Sequence, residues 1–226
     1  MKEEIITFTD PKSPISEVFR TLRTNIQFMN TKKLKSLLIT STAPSEGKSW
    51  TSANLAVAFA QAGKKVILVD ADMRKGRQFS IFGISPTPGL SNYLSGIGAN
   101  GKKTQDKILL YIKETNIENL CVIPAGSVPP NPSELLISEK MESLVETLEQ
   151  ACDLVIFDGT PSIIVTDAIV ISRYVDTTVI VASYKETKTD DLKKMKKDIL
   201  DVGGKIAGVV INKMPISQKK YQSKYY

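Results

Sequence analysis

Histidine is absent from this 226-residue chain, which excludes Ser-His-Asp catalysis and histidine-ligated zinc outright. Cysteine is almost absent: Cys121 and Cys152 are isolated and lie in or beside apolar runs, the pattern of two small core residues rather than a disulfide or a metal pair. No apolar run approaches the roughly 20 residues needed to span a bilayer. The opening segment MKEEIITFTDPKS lacks the basic start and apolar core of a secretion signal, so the chain is expected to be cytoplasmic. No internal repeat is visible. Whatever chemistry occurs must use carboxylates, lysine, arginine and a hard cation.

What is present suits one large α/β domain with a substantial core. The net charge of +6 would suit contact with nucleic acid or anionic lipid, but its placement weakens that reading. Lys193, Lys194, Lys196 and Lys197 share a predicted helix whose buried stripe is Leu192, Met195 and Ile199, so the lysines read as a solvated face. No nucleic-acid partner is expected.

The most informative stretch is LKSLLITSTAPSEGKS, residues 34 to 49. An apolar run leads through a turn of small residues to Gly47, Lys48 and Ser49, which open a predicted helix. That order suits a nucleotide triphosphate: backbone N–H groups of the turn and helix start face the phosphates, Lys48 adds a point charge, and the Ser49 hydroxyl can ligate magnesium. The match to G-x-x-x-x-G-K-[ST] is imperfect, because Thr42 replaces the first glycine. Two further apolar runs, KVILVD and DLVIFD, end in Asp70 and Asp158, and Asp72 and Arg74 follow the first. Continuous apolar runs are the mark of parallel strands covered on both faces, and ligands of such sheets sit beyond the strand carboxyl ends. Each aspartate taken singly reads as a solvated turn residue. Three strand ends converging on one crevice read as a magnesium-nucleotide site.

Along the chain, residues 1 to 13 lack periodicity. Ser13 and Pro14 then suit the cap and first position of a helix reaching about Met29, with Ile15, Val18, Phe19, Leu22 and Ile26 at helical spacing. Glu17, Arg20 and Arg23 form a second series on that helix, either an exposed face with a weak Glu-Arg pair or an interface. A helix from Ser49 to about Gln61 stops at Gly63. Residues 74 to 104 read as a long irregular region. A strand is expected at 120 to 124, and a helix capped by Ser133 runs to about Gln150. Thr166 or Asp167 is expected to cap a short helix, and 177 to 182 and 205 to 211 are apolar strands. Strands alternating with helices imply a mostly parallel sheet with right-handed crossovers and helices on both faces. The domain is read as 1 to 213. Residues 214 to 226 are polar and read as a flexible tail, yet Tyr221, Tyr225 and Tyr226 lie in it, an enrichment in aromatics that calls for a role.

The chain resembles the bacterial tyrosine kinases of capsule and exopolysaccharide synthesis, specifically the separate cytoplasmic kinase of Gram-positive bacteria. The likeness rests on A-P-S-E-G-K-S, V-D-A-D-M-R, I-F-D-G-T-P with T-D-A after it, P-P-N-P-S-E-L-L at 129 to 136, and the tyrosine-rich end. It implies a P-loop NTPase fold and an ATP- and Mg2+-dependent protein-tyrosine kinase. The nucleotide would be bound by Ser45, Glu46, Gly47, Lys48, Ser49 and Trp50, with Asn212 as an adenine contact or else a solvated loop residue. Asp70 would assist the attacking hydroxyl, while Ser49, Asp72 and Asp158 would serve magnesium. Glu17, Arg20 and Arg23 match the family's E-x-x-R-x-x-R helix, implying a homo-oligomeric ring. Tyr221, Tyr225 and Tyr226 would be phosphorylated by a neighbouring subunit. A transmembrane modulator would activate the kinase and hold it at the inner face of the membrane, where the pair regulates polysaccharide polymerisation and export. Ser45 stands where the family often has glycine, which would restrict the loop's backbone; Trp50 and Gly159-Thr160 also depart from the usual pattern. The competing reading is an ATPase switch of the kind that partitions DNA or positions division proteins, with water as nucleophile and dimerisation on membrane or DNA as output.

Overall fold

A computed structural model describes residues 4–29, 34–98, 102–103 and 107–215. Among these, seven strands form one sheet in the order β3-β4-β2-β5-β1-β6-β7. They are β1 (Ser36–Ser41), β2 (Val66–Asp70), β3 (Lys113–Glu114), β4 (Leu120–Ile123), β5 (Leu154–Pro161), β6 (Thr177–Ser183) and β7 (Ile206–Asn212). Every pairing is parallel except that of the short edge strand β3 with β4. The expected apolar runs therefore become the central strands, and β1, β2 and β6 are buried along their whole length.

Alternation along β1 divides the core in two. Leu37 and Ile39 face a layer that holds Phe19 and Ile26 of α2 (Pro14–Met29) and most of α3 (Lys48–Ala60). Leu38 faces the opposite layer, with Leu144 and Leu148 of α7 (Glu139–Ala151) and Ile171 of α8 (Asp167–Ser172). A side-chain period of two on the strand dictates this split. The lysine-rich helix α9 (Thr189–Asp201) packs through Met195 and Ile199, as its spacing predicts. Alanine-rich α3 is buried on nearly all sides, because α2 and the one-turn helix α1 (Ile6–Thr9) cover the face that the sheet does not. Asn54 on α3 secures this cover by accepting from the Thr7 N–H at 3.1 Å and donating to the Glu4 carbonyl at 3.0 Å.

Several expectations need correction. The N-terminal segment contains α1. The region 74 to 104 holds two short helices, α4 (Gln78–Phe82) and α5 (Leu90–Ser95). The helix expected from Ser133 is two helices: α6 (Pro132–Ile137), with Asn131 as N-cap and proline in the first turn, and α7, for which Ser138 is the N-cap and accepts from the Met141 N–H. Ser138 is extended (φ −66°, ψ 148°), and a serine that can bond the next turn's backbone favours such a cap over helix continuation. Ser13 caps α2 as expected, accepting from the Ser16 N–H at 3.1 Å. Val18, by contrast, is 49% exposed, since the face that meets α1 and α3 follows Ile15, Phe19, Leu22 and Ile26.

Candidate functional site

The turn between β1 and α3 is shaped by three short-range demands. Gly47 caps α3 with φ 97°, and a Cβ there would lie 2.0 Å from the Asn212 amide nitrogen, so both backbone angle and space require glycine. Ser45 adopts φ 64°, the left-handed region that its place in a usually glycine position demands. Thr42, which replaces the first glycine, is buried and donates its hydroxyl to both carboxylate oxygens of Glu46, at 2.9 and 3.0 Å. Glu46 also accepts from the Ala43 N–H at 2.9 Å and from the Thr187 hydroxyl. Its carboxylate is directed at these donors, and the residue does not line the cavity beneath the turn.

Strand register brings the acidic groups together. Asp70, the last residue of β2, is paired with Asp158 of β5, which runs on to Pro161 rather than ending at Asp158 as expected, and the Lys48 ammonium reaches across from α3. Lys48 Nζ is 3.1 Å from Asp72 Oδ2, 3.6 Å from Asp158 Oδ1 and 3.2 Å from Ser49 Oγ. Burial alone would lower the Lys48 pKa, but the carboxylates of Asp158, Asp72 and Asp70 outweigh it and hold the amine above its ordinary value. Asp158 is fixed by the Ser52 hydroxyl at 3.3 Å and by Gln78 Nε2 at 2.8 Å; the same Gln78 nitrogen donates to the Ser49 carbonyl at 3.0 Å.

Asp70 has no exposed surface. Its Oδ2 accepts the Gln78 N–H at 2.9 Å, and Gly76 lies so close that a Cβ there would be 2.9 Å from Oδ2. Burial first, and then Asp158, push the Asp70 carboxyl up to about 8, despite the opposing pull of the Gln78 N–H and Lys48. Asp70 Oδ1 and Gln78 Oε1 are buried without a hydrogen-bond partner. The expectation that Asp70 touches an attacking hydroxyl therefore fails in this conformation: the Lys75–Gln78 segment seals it from the cavity.

That cavity, of about 420 Å³, is lined by Ser45, Gly47, Lys48, Ser49 and Trp50 on the turn side, by Asp72, Arg74, Lys75 and Arg77 opposite, and by Thr160, Pro161, Ile164 and Val165. Trp50 is half-buried and stands edge-on to Phe19 of α2, with centroids 5.2 Å apart. Arg74 is held at the mouth by Asp167, Nε to Oδ2 at 3.2 Å, and by Ser133, whose hydroxyl also donates to Asp167 at 2.6 Å. Ser133, expected as a helix cap, thus serves the cavity wall. Asn212 donates to the Glu46 carbonyl at 2.9 Å, so its amide nitrogen braces the turn.

Of the expected assembly residues, Glu17 and Arg20 pair at 2.7 Å on the outer side of α2. Arg23 is drawn inward instead, donating to the Ala58 carbonyl at 2.9 Å. Tyr221, Tyr225 and Tyr226 lie outside the described residues. Sequence reasoning missed Gln78, Ser52 and Thr187, which carry no local motif. The Arg74–Asp167–Ser133 link joins three of the quoted motifs and was open to inference from their co-occurrence.

Among the described residues, no three His, Cys, Asp or Glu side chains form a ready-made metal cage. The oxygen set of Ser49, Asp72 and Asp158 nonetheless fits magnesium, which typically takes one or two carboxylates and completes its shell with water and substrate phosphates. No helix among the described residues is long and apolar enough to cross a membrane.

The CobQ/CobB/MinD/ParA nucleotide binding domain matches residues 37–225. The chain is 43% identical over 217 residues to the putative tyrosine-protein kinase CapB of Staphylococcus aureus, covering 96% of this chain and 92% of that protein. It is 39% identical to the tyrosine-protein kinase YwqD of Bacillus subtilis, covering 96% and 89%. The crystal structure of the chimerical protein CapA2B2 superposes with a TM-score of 0.86 at 42% identity, over 96% of this chain and 92% of that one.

Proposed function

Because this chain belongs to the bacterial tyrosine-protein kinases built on the CobQ/CobB/MinD/ParA nucleotide binding domain, we propose that it transfers the terminal phosphoryl group of ATP to its own C-terminal tyrosines. The observation that carries this reading is the Lys48 ammonium held between Asp72 and Asp158 at the floor of the turn-lined cavity. The N–H groups of the Ser45–Ser49 turn would face the phosphates, and Lys48 would offset charge that develops on the β and γ groups. Ser49, Asp72 and Asp158 would hold Mg2+, which supplies further charge neutralisation. Phosphoryl transfer of this kind depends mostly on positioning and electrostatics. A tyrosine hydroxyl, with an ordinary pKa near 10, is almost wholly neutral at pH 7. A carboxylate within reach of that hydroxyl would assist its deprotonation; Asp72 lines the cavity, whereas Asp70 lies behind Gly76.

The segment that carries the acceptors is long enough to serve. The thirteen residues after Lys213 extend to roughly 45 Å at about 3.3 to 3.6 Å each, and tethering raises local tyrosine concentration to the millimolar range. Family likeness further supports a homo-oligomeric ring, a transmembrane modulator that keeps this kinase at the inner membrane face, and control of capsular or exopolysaccharide synthesis. The test is incubation of the pure chain with γ-labelled ATP and magnesium. Label on Tyr221, Tyr225 or Tyr226, lost about 10²- to 10³-fold in Lys48→Met as for removal of a transition-state charge partner, is expected. Free phosphate without protein label would favour a partition-type ATPase, and neither product would leave a nucleotide-binding protein without transferase activity.

A further inference from the structure

A carboxylate inside a phosphate-binding turn is electrostatically misplaced unless it does something the turn needs. Glu46 is 3% exposed, lies one residue before Gly47, and adds negative charge where a polyphosphate would arrive. Its donors are the Thr42 hydroxyl, the Ala43 N–H and the Thr187 hydroxyl. A buried carboxylate bonded in this way has its acceptor sites largely occupied, which leaves the side chain no part in contacting a ligand. The bonds also join two separate segments. Thr187 lies 141 positions away in sequence, in the loop between β6 and α9, where its hydroxyl also accepts the Ser183 N–H at 2.7 Å. The end of β7 is tied to the same point, since Asn212 donates to the Glu46 carbonyl and accepts the Tyr184 N–H through its own carbonyl at 2.9 Å.

We propose that Glu46 is a positioning residue: its carboxylate clamps the phosphate turn to Thr187 and sets the shape of the turn before nucleotide arrives. This rests on the reading that the turn binds nucleotide, and gives the Glu46 side chain a part separate from the turn's backbone N–H groups. The turn has reason to need a clamp. Ser45 holds a left-handed backbone angle without being glycine, and such conformations persist only where surrounding bonds over-determine them. The clamp also accounts for the departure at position 42: a glycine there has no hydroxyl to give Glu46, and threonine does.

The test compares Glu46→Gln, Thr187→Val and Thr187→Ser by amide hydrogen exchange across residues 42 to 47 of the nucleotide-free protein, calorimetric affinity for MgADP, and steady-state autophosphorylation. Glutamine keeps one acceptor oxygen but turns an N–H pair toward the Ala43 N–H or the two hydroxyls. Thr187→Val removes the link to Glu46 together with the bond from the Ser183 N–H and leaves the turn's own bonds in place, so it tests the clamp even if Glu46→Gln fails to fold. Both variants should speed exchange in the turn and weaken MgADP binding by about 10- to 100-fold, the usual scale for loss of a buried hydrogen bond to a charged group. For Thr187→Val the KM for ATP should rise while kcat is held, and Thr187→Ser should restore the KM and the slow exchange. Unchanged exchange and affinity in Thr187→Val would overturn the clamp, as would a fall in kcat with affinity intact. A wild-type protein that fails to bind MgADP would instead sink the nucleotide reading, and the exchange data would still judge whether Glu46 orders the turn.

Discussion

Asp70 is where the cost of building this site is concentrated. Two carboxylates of adjacent strands stand side by side, and one ammonium, that of Lys48, serves both of them and Asp72. Asp70, wholly buried, has its carboxyl raised from 3.8 to about 8, chiefly by burial and then by Asp158. In the nucleotide- and magnesium-free protein, the folded state then holds a proton that the unfolded state has already released. Its stability should therefore fall as pH rises from about 4 towards 8. Asp70→Asn mimics the protonated form at every pH, so its thermal midpoint should fall less than that of the wild type between pH 5 and 8. Parallel profiles in calorimetry would mean that Asp70 is ionised throughout. Lys48, Ser49, Asp72 and Asp158 were legible in the sequence because each sits at or just beyond the end of an apolar run. Gln78 and Ser52 were not, since each is defined by its bond to Asp158, 80 and 106 positions away, and nothing local to either residue announces a distant partner.

Elements were legible in proportion to their length and regularity. The strands β1, β2, β5 and β6 stood out because a parallel strand buried on both faces has no choice but to be apolar throughout; β7 carries an equally apolar run although it lies at the sheet edge with Val209 and Ile211 exposed. The short helices α1, α4 and α5 did not, as four to six residues are too few to establish a 3.6-residue period. The break between α6 and α7 was missed because Ser133 was read as the cap of one continuous helix. Ser138 won the cap, and Ser133 joined Arg74 and Asp167 at the cavity mouth. The two serines should therefore fail differently. Ser138→Ala should cost about 1 kcal/mol of stability, the usual loss for an N-cap serine, and lower the thermal midpoint by about 2–4 °C in a chain of this size, with kinase rate retained. Ser133→Ala should leave the midpoint nearer the wild type and reduce phosphorylation by loosening Arg74. Midpoint and rate measured on both variants check the assignment, and a reversal of the two phenotypes would contradict it.

At the scale of the whole molecule, the outer side of α2 and the C-terminal sequence bear on assembly. Along the outer side of α2, Val18 is 49%, Met29 56% and Phe28 84% exposed, beside the Glu17–Arg20 pair. Large apolar side chains grouped on one helix commonly mark a contact with another molecule, in keeping with a ring assembled through this helix. The C-terminal stretch carries Lys219, Lys220 and Lys224 among its tyrosines, so before reaction it is a cationic segment suited to a neighbour's phosphate-binding cavity. Each phosphotyrosine adds about −1.5 to −2 charges, and three would offset most of the chain's net +6. In the proposed ring, a segment so altered would be repelled by the nucleotide phosphates, and an assembly that docks subunits through their tails would lose that docking. MgATP should therefore shift the wild-type mass distribution towards smaller species, as followed by native mass spectrometry or mass photometry. The Lys48→Met protein, which binds no productive phosphate, should keep its larger assemblies under the same treatment. Replacing Tyr221, Tyr225 and Tyr226 with phenylalanine should do the same while leaving the catalytic residues intact. A fully phosphorylated wild-type tail with an unchanged mass distribution would refute the coupling and leave α2 as the sole determinant of assembly.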